Sequence, residues 1–264
     1  MNIFLHELKA YRKSVIIWAL SMAALAVLYM FLFKGLRNDI EEFKVFMNNM
    51  PDVMKKAFNI YLDSISTLVG FYSFVFTFVV LCGAIQAMNI GTAIVSKEIR
   101  DKTADFLMTK PISRDKILTS KLLAALSSLA ITNIIYLCLT IPVAVVISND
   151  INMKVFLMLS STLFFVQVMF MTLGIIVSVI AGKIKSVISI SLSTVFGFYI
   201  IGTLGSVIGD ETVRYISPFR YFDLAYIIKN AAYETSFVIV GIIFVIAAIA
   251  ASYLIYVKKD VHAV

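Results

Sequence analysis

Charge is missing from six long stretches of the chain: Ser14 to Phe33, Ser64 to Ser96, Leu122 to Asn149, Val155 to Gly182, Ser186 to Gly209 and Thr235 to Val257. Each has at least 20 residues, enough helix to cross a bilayer core of about 30 Å. Barrel strands would alternate apolar and polar over about 10 residues, and these runs do not alternate. Backbone amides in lipid must bond within their own segment, so each run predicts a transmembrane helix. The expected fold class is an all-α integral membrane protein with six transmembrane helices. No repeat at a fixed period divides it, so a single transmembrane domain over 1–264 is expected.

The segments between the runs carry weaker periodicities. In residues 1–13, Ile3, Phe4, Leu8 and Tyr11 fall near one helical face, with Glu7, Lys9, Arg12 and Lys13 largely off it. That pattern predicts an N-terminal interfacial helix, after which the chain turns into the first span. In residues 34–63, Phe43, Phe46, Met47, Met50, Met54 and Phe58 follow 3/4 spacing, and Pro51 should split two short amphipathic helices. Lipid anchoring explains that loop more simply than a substrate gate. Between spans 5 and 6, Ser217 is an N-cap candidate with Pro218 at the first helical position. Phe219, Phe222, Tyr226 and Ile228 then form the apolar side of a short interfacial or re-entrant helix.

Within the runs, polar side chains are scarce. Gln86, Asn89, Asn133 and Gln167 are the amides; they read first as interhelical hydrogen-bond formers and second as candidate pathway residues. No carboxylate, Lys or Arg lies inside a run, whereas ion-coupled transport usually needs one at membrane depth. The series "FYSFVFTF" at the head of the second run does not keep its aromatics on one face, so lipid contact is expected for it. Pro142 should kink the third span near its outer end. Cys82 and Cys138 read as buried small hydrophobes. The two histidines, His6 and His262, suggest no ligand set, and no metal site is expected.

Composition agrees with this picture: 61% of the 264 residues are hydrophobic, 15% are charged, and mean hydropathy is +0.95. With a cytoplasmic N-terminus, the inside segments 1–13, 97–121, 183–185 and 258–264 carry 14 of the 23 Lys and Arg, and the outside segments 9. The positive-inside rule therefore places both termini in the cytoplasm. Net charge +7 is read as basic loops facing anionic lipid, with no nucleic-acid partner. The first apolar run is too long for a signal-peptide core.

One stretch breaks the pattern. "SKEIRDKTADFLMTKPISRDKILTSK", residues 96–121, holds eleven charged residues between two long apolar runs. No helix breaker occurs from Glu98 to Met108, and Ile99, Phe106, Leu107 and Met108 supply apolar contact. Pro111 disfavours helix at Lys110, so that element should stop near Thr109. Ser113 can cap a new helix with Asp115 in its first turn. From Ser113 to Ile147 is about 50 Å of helix, longer than the bilayer. The cassette predicts a short stiff cytosolic helix suited to receiving a push from a partner; the alternative is a basic loop lying on headgroups.

This stretch resembles the first cytoplasmic loop of ABC-2 type permeases, the membrane subunits of bacterial ABC exporters. The matching residues are Glu98, Thr103, Phe106, Leu107, Pro111, Ser113, Arg114 and Lys121; Lys102 stands where the family usually has Gly. "SPFRYFD", residues 217–223, is also similar to a segment before the last span of such permeases. The resemblance implies that 98–110 is a coupling helix between spans 2 and 3. Its ATPase-coupling residues would be Glu98, Thr103, Phe106, Leu107, Met108, Pro111, Ser113 and Arg114. It implies a multi-pass protein of the bacterial cytoplasmic (inner) membrane, paired with a second permease subunit, identical or homologous. No G-x-x-x-x-G-K-[ST] loop occurs, so ATP and Mg would bind a separate ABC ATPase subunit, with no cofactor on this chain. A mostly uncharged interior favours amphipathic or hydrophobic cargo over a small ion. The alternatives are a membrane assembly or sensor protein without a transport cycle, and an intramembrane enzyme. The enzyme would need an H-E-x-x-H zinc site or buried carboxylates, which the sequence lacks.

Overall fold

A computed structural model describes residues 3–57, 59–62, 64–100, 112–148, 150–181 and 184–258. Among them every regular element is helical. Six helices are long and apolar enough to cross a membrane. They are α1 (Ile3–Leu36), α4 (Leu68–Arg100), α5 (Arg114–Ile147), α6 (Met153–Ala181), α7 (Val187–Ile208) and α9 (Thr235–Lys258). Three short helices sit in the connections: α2 (Ile40–Asn48), α3 (Asp52–Ala57) and α8 (Leu224–Asn230). The chain is a multi-pass membrane protein.

The helix ends follow local chemistry. Pro51 separates α2 from α3, as its missing N–H and fixed φ require. Ser186 caps α7, its Oγ accepting from the Ser189 N–H. Gly209, at φ 80, ends the same helix and donates its N–H to Gly205 O at 2.9 Å. Ser113 caps α5 in extended backbone with Asp115 in the first turn, and the helix ends at Ile147. The long third helix expected from Ser113 is present, and Pro142 stays inside it.

Helices α4 and α6 form the centre. Their apolar windows are 67% and 61% buried, against 22% for α7 and 17% for α9. Two glycines permit their close approach. A Cβ on Gly91 would lie 2.2 Å from Met171 O, and one on Gly174 would lie 2.6 Å from Met88 O. Small residues let membrane helices bring their backbones together, where packing has to replace the hydrophobic drive available in water. Helices α1 and α5 pack against each other, α1 and α6 also pack on α4, and α7 and α9 lie on the flanks.

Several expectations are corrected by this packing. No turn separates an interfacial helix from the first span: α1 runs unbroken from Ile3, because no Pro or Gly interrupts it before Gly35. The aromatic series at the head of α4 turns mostly inward, with Phe74 and Phe78 half-buried. Phe71, Tyr72 and Phe76 are buried, and Tyr72 stacks on Phe76 and Phe156 with centroids 5.2 and 4.8 Å away. A central helix is covered over most of its circumference, so aromatics pointing several ways can be buried. Cys82 is half-buried and Cys138 exposed, since they lie on outward faces of α4 and α5. In the 34–63 loop Phe43, Met47 and Met50 pack inward, whereas Phe46 and Met54 are exposed. Phe58 lies outside the described residues.

Replacing Gly91 with Val should force α4 and α6 apart, since the obstructing atoms are backbone, and cost about 1–3 kcal/mol. Gly197→Ala, where a Cβ meets nothing within 4 Å, should leave stability unchanged or raise it by up to about 1 kcal/mol. Thermal unfolding of the two variants in detergent checks the contrast.

Candidate functional site

Three layers of polar contact cross the bundle. In the middle layer a directed chain of bonds links α5, α6 and α4. Asn133 Nδ2 donates to Gln167 Oε1 (2.6 Å), Gln167 Nε2 to Gln86 Oε1 (3.1 Å), and Gln86 Nε2 to Thr132 Oγ1 (2.9 Å). Thr132 passes its own proton to Ser128 O at 3.0 Å, and Asn133 also reaches Leu129 O at 2.8 Å. Gln86, Gln167 and Thr132 are fully buried and Asn133 nearly so. Three of the four amides thus bond to one another. Asn89 is half-buried and takes no part in the chain.

The second layer joins the same three helices through hydroxyls. Tyr72 OH lies 2.7 Å from Tyr136 OH and 2.9 Å from Ser160 Oγ, all buried. Nothing in the sequence pattern announced this knot. A tyrosine in an apolar run is the available signal, because its hydroxyl needs a partner once buried.

The third layer is ionic and borders the charged cassette. Lys97 Nζ pairs with Glu7 at 2.5 Å, tying the end of α4 to the start of α1. Glu7 is 2% exposed, and a buried carboxylate without a cation would be costly. Lys121 is 1% exposed, and its Nζ donates to Ile94 O at 2.5 Å, tying α5 to α4. Arg114 Nη1 donates to Val257 O at 3.2 Å, and Thr119 Oγ1 lies 2.7 Å from Tyr253 OH, tying α5 to α9. Four helices therefore meet at this cassette end.

The residues expected from the sequence to contact an ATPase fall in several places. Glu98 lies on the last turns of α4, by its backbone. Thr103, Phe106, Leu107, Met108 and Pro111 lie outside the described residues. Ser113 is exposed and caps α5 through its backbone O, which accepts from the Ile117 N–H at 3.2 Å. Its side chain makes no capping bond. Arg114 is half-buried against α9.

The opposite end holds the connecting loops and a cleft. Arg214 organises it: Nη2 pairs with Glu234 at 2.9 Å, Nη1 with Glu211 at 3.4 Å, and the guanidinium lies 3.9 Å above the Phe237 ring. Ser217 does not cap through its side chain; its Oγ donates to Phe198 O at 2.8 Å and holds the loop to α7. Asp223 is the cap that sequence reading missed. Its Oδ1 accepts from the N–H groups of Ala225 and Tyr226 and opens α8, while Ser217 stands, as expected, at the N-cap of a separate 3-10 turn, Pro218–Arg220, with Pro218 first and Ser217 O accepting from the Arg220 N–H at 2.9 Å. Beside Asp223, α4, α6, α7 and the loops line a narrow cleft of about 50 Å3. Thr77, Val166, Tyr199, Phe219, Arg220 and Asp223 are among its lining. Burial first, and the Asp223 carboxylate second, push the Tyr61 phenol above the usual tyrosine range, so it stays protonated.

Six helices able to cross a membrane, tied to one another by polar contacts inside the bundle, are the architecture of a multi-pass membrane protein. The profile of the ABC-2 family transporter proteins matches residues 1–261, and the chain belongs to that family. No curated protein matches the chain in sequence.

If the buried amides hold helices together, Gln86→Leu alone should cost about 1–2 kcal/mol by stranding its partners. Replacing Gln86, Asn133 and Gln167 together by Leu should recover most of that loss. Unfolding midpoints of the single and triple variants check this, and a triple variant less stable than the single one contradicts it.

Proposed function

We propose that this chain is the permease subunit of an ATP-driven exporter, in which the six spans work as one domain. The cassette end faces the cytoplasm of a bacterial cell, and both termini lie there. A separate ABC ATPase subunit binds residues 98–110, and a second permease subunit, identical or homologous, completes the pathway.

The observation that carries this reading is the mounting of the cassette. One flank belongs to α4, which Lys97 ties to α1; the other belongs to α5, which Lys121 ties to α4 and Arg114 to α9. Displacement of the cassette reaches four helices at once, through the two 2.5 Å contacts of Lys97 and Lys121, buried or partly so, and the exposed 3.2 Å bond of Arg114. A flexible tether would absorb such a push. Two-state motion of packed helices needs this kind of rigid attachment. ATP and Mg belong to the partner, since these 264 residues contain no phosphate-binding loop.

Co-expression with an ATPase encoded beside this chain, followed by affinity purification in mild detergent, should recover both polypeptides. Recovery of the permease alone would count against the reading. Replacing Phe106 and Leu107 by Asp should abolish stimulation of the ATPase while leaving membrane insertion and the melting temperature intact. Unchanged stimulation would remove that pair from the contact.

A further inference from the structure

The cleft at the loop end opens into a charged vestibule of about 420 Å3, and the two share Asn59, Tyr61, Ser206, Arg220 and Asp223. Three of the vestibule's seven charged side chains are already paired. Lys55 pairs with Asp52 at 2.7 Å, and Arg214 is held by Glu211 and Glu234. Of the charged lining, this leaves Lys56 and Arg220 against Asp210 and Asp223, two cations and two anions. Arg220 and Asp223 alone also line the inner cleft as charged residues.

Their bonding leaves each with capacity to spare. Among the described residues, the Arg220 guanidinium makes one hydrogen bond, from Nη1 to Asn59 Oδ1 at 3.3 Å, so most of its N–H donors remain for a ligand. Asn59 stands at φ 51, a left-handed conformation that Asn tolerates, and that turn presents its amide to Arg220. Asp223 uses Oδ1 for both capping bonds, and Oδ2 accepts none among the described residues. No ion pair joins Arg220 to Asp223 among those residues. Beyond them the inner cleft offers Val80, Val166, Phe219, Phe222 and Leu224 with Thr77 and Thr162.

We propose that this cleft is a binding site for a zwitterionic amphiphile. An anionic phosphate or carboxylate sits on Arg220, an ammonium sits on Asp223 Oδ2, and the apolar part lies in the vestibule against the mouth of the inner cleft. A purely anionic ligand would meet Asp223 and Asp210 as well as Arg220, so the balanced pair selects against it. Two sources share this chemistry, a zwitterionic lipid headgroup and a soluble amphipathic peptide. The site goes beyond the permease reading and stands without an ATPase or a transport cycle.

The full-length chain, purified in a maltoside detergent, is titrated with short-chain phosphatidylethanolamine, short-chain phosphatidylglycerol and the dipeptide dileucine. Binding is read by native mass spectrometry and by thermal shift. Saturable binding of the phosphatidylethanolamine or of dileucine, at least about tenfold tighter than phosphatidylglycerol, is the expected result, and whichever binds identifies the source. R220Q and D223N should each weaken it about tenfold, as loss of a charge-assisted bond does. D223N keeps the capping oxygen, so its melting temperature without ligand should match the parent. R37Q, in a separate recess, should bind as the parent does. Equal binding of phosphatidylglycerol, no binding of either zwitterion, or unchanged affinity in both R220Q and D223N would overturn the proposal.

Discussion

The close approach of α4 and α6 is the contact on which the rest of the bundle depends. Gly91 and Gly174 let the two backbones touch where any side chain would collide with a carbonyl of the other helix. That closeness brings Gln86 and Gln167 within 3.1 Å of each other, with Asn133 and Thr132 of α5 closing the chain. In lipid, apolar surface gains little by leaving its solvent, so dense packing and satisfied hydrogen bonds have to supply cohesion. A centre built this way is stiff. The flanking helices α7 and α9 then lean on it with most of their surface turned outward.

The two ends of that stiff centre are organised differently. At the cassette end, charged side chains reach from helix to helix: Glu7 to Lys97, Lys121 to α4, Arg114 to α9. Their burial places cationic groups against a carboxylate and against backbone oxygens, where an unpaired ammonium would be expensive. At the loop end, Arg214 gathers the connection before α9 while Arg220 and Asp223 stay largely unspent. Ties between helices at one end and open polar capacity at the other are what the proposed coupling and the proposed ligand site rest on.

Much of the architecture was legible because its causes are local. Charge-free runs mark the six spans, Pro51 divides α2 from α3, and Ser113 with Asp115 opens the long α5. The misreadings concern neighbours. The aromatics of α4 looked suited to lipid because they point several ways, which a helix enclosed by others also permits. Ser217 does precede a turn, Pro218–Arg220, yet its hydroxyl serves Phe198 of another helix, and the longer helix α8 starts from Asp223. Lys121 sat at the edge of an apolar run, and only the neighbouring α4 shows why a lysine there can be 1% exposed.

Sequence alone determined how many times the chain crosses, which segments are charged, and that the 96–121 cassette interrupts the apolar pattern, because each follows from transferring short stretches between water and lipid. Tertiary structure alone decided which spans are central, which amides bond to which, and that Arg220 and Asp223 share a cleft. Those outcomes depend on contacts between residues far apart in the chain. Asn59 and Arg220, 161 positions apart, meet only because α3, α7 and the last loop converge on one end of the α4 and α6 pair.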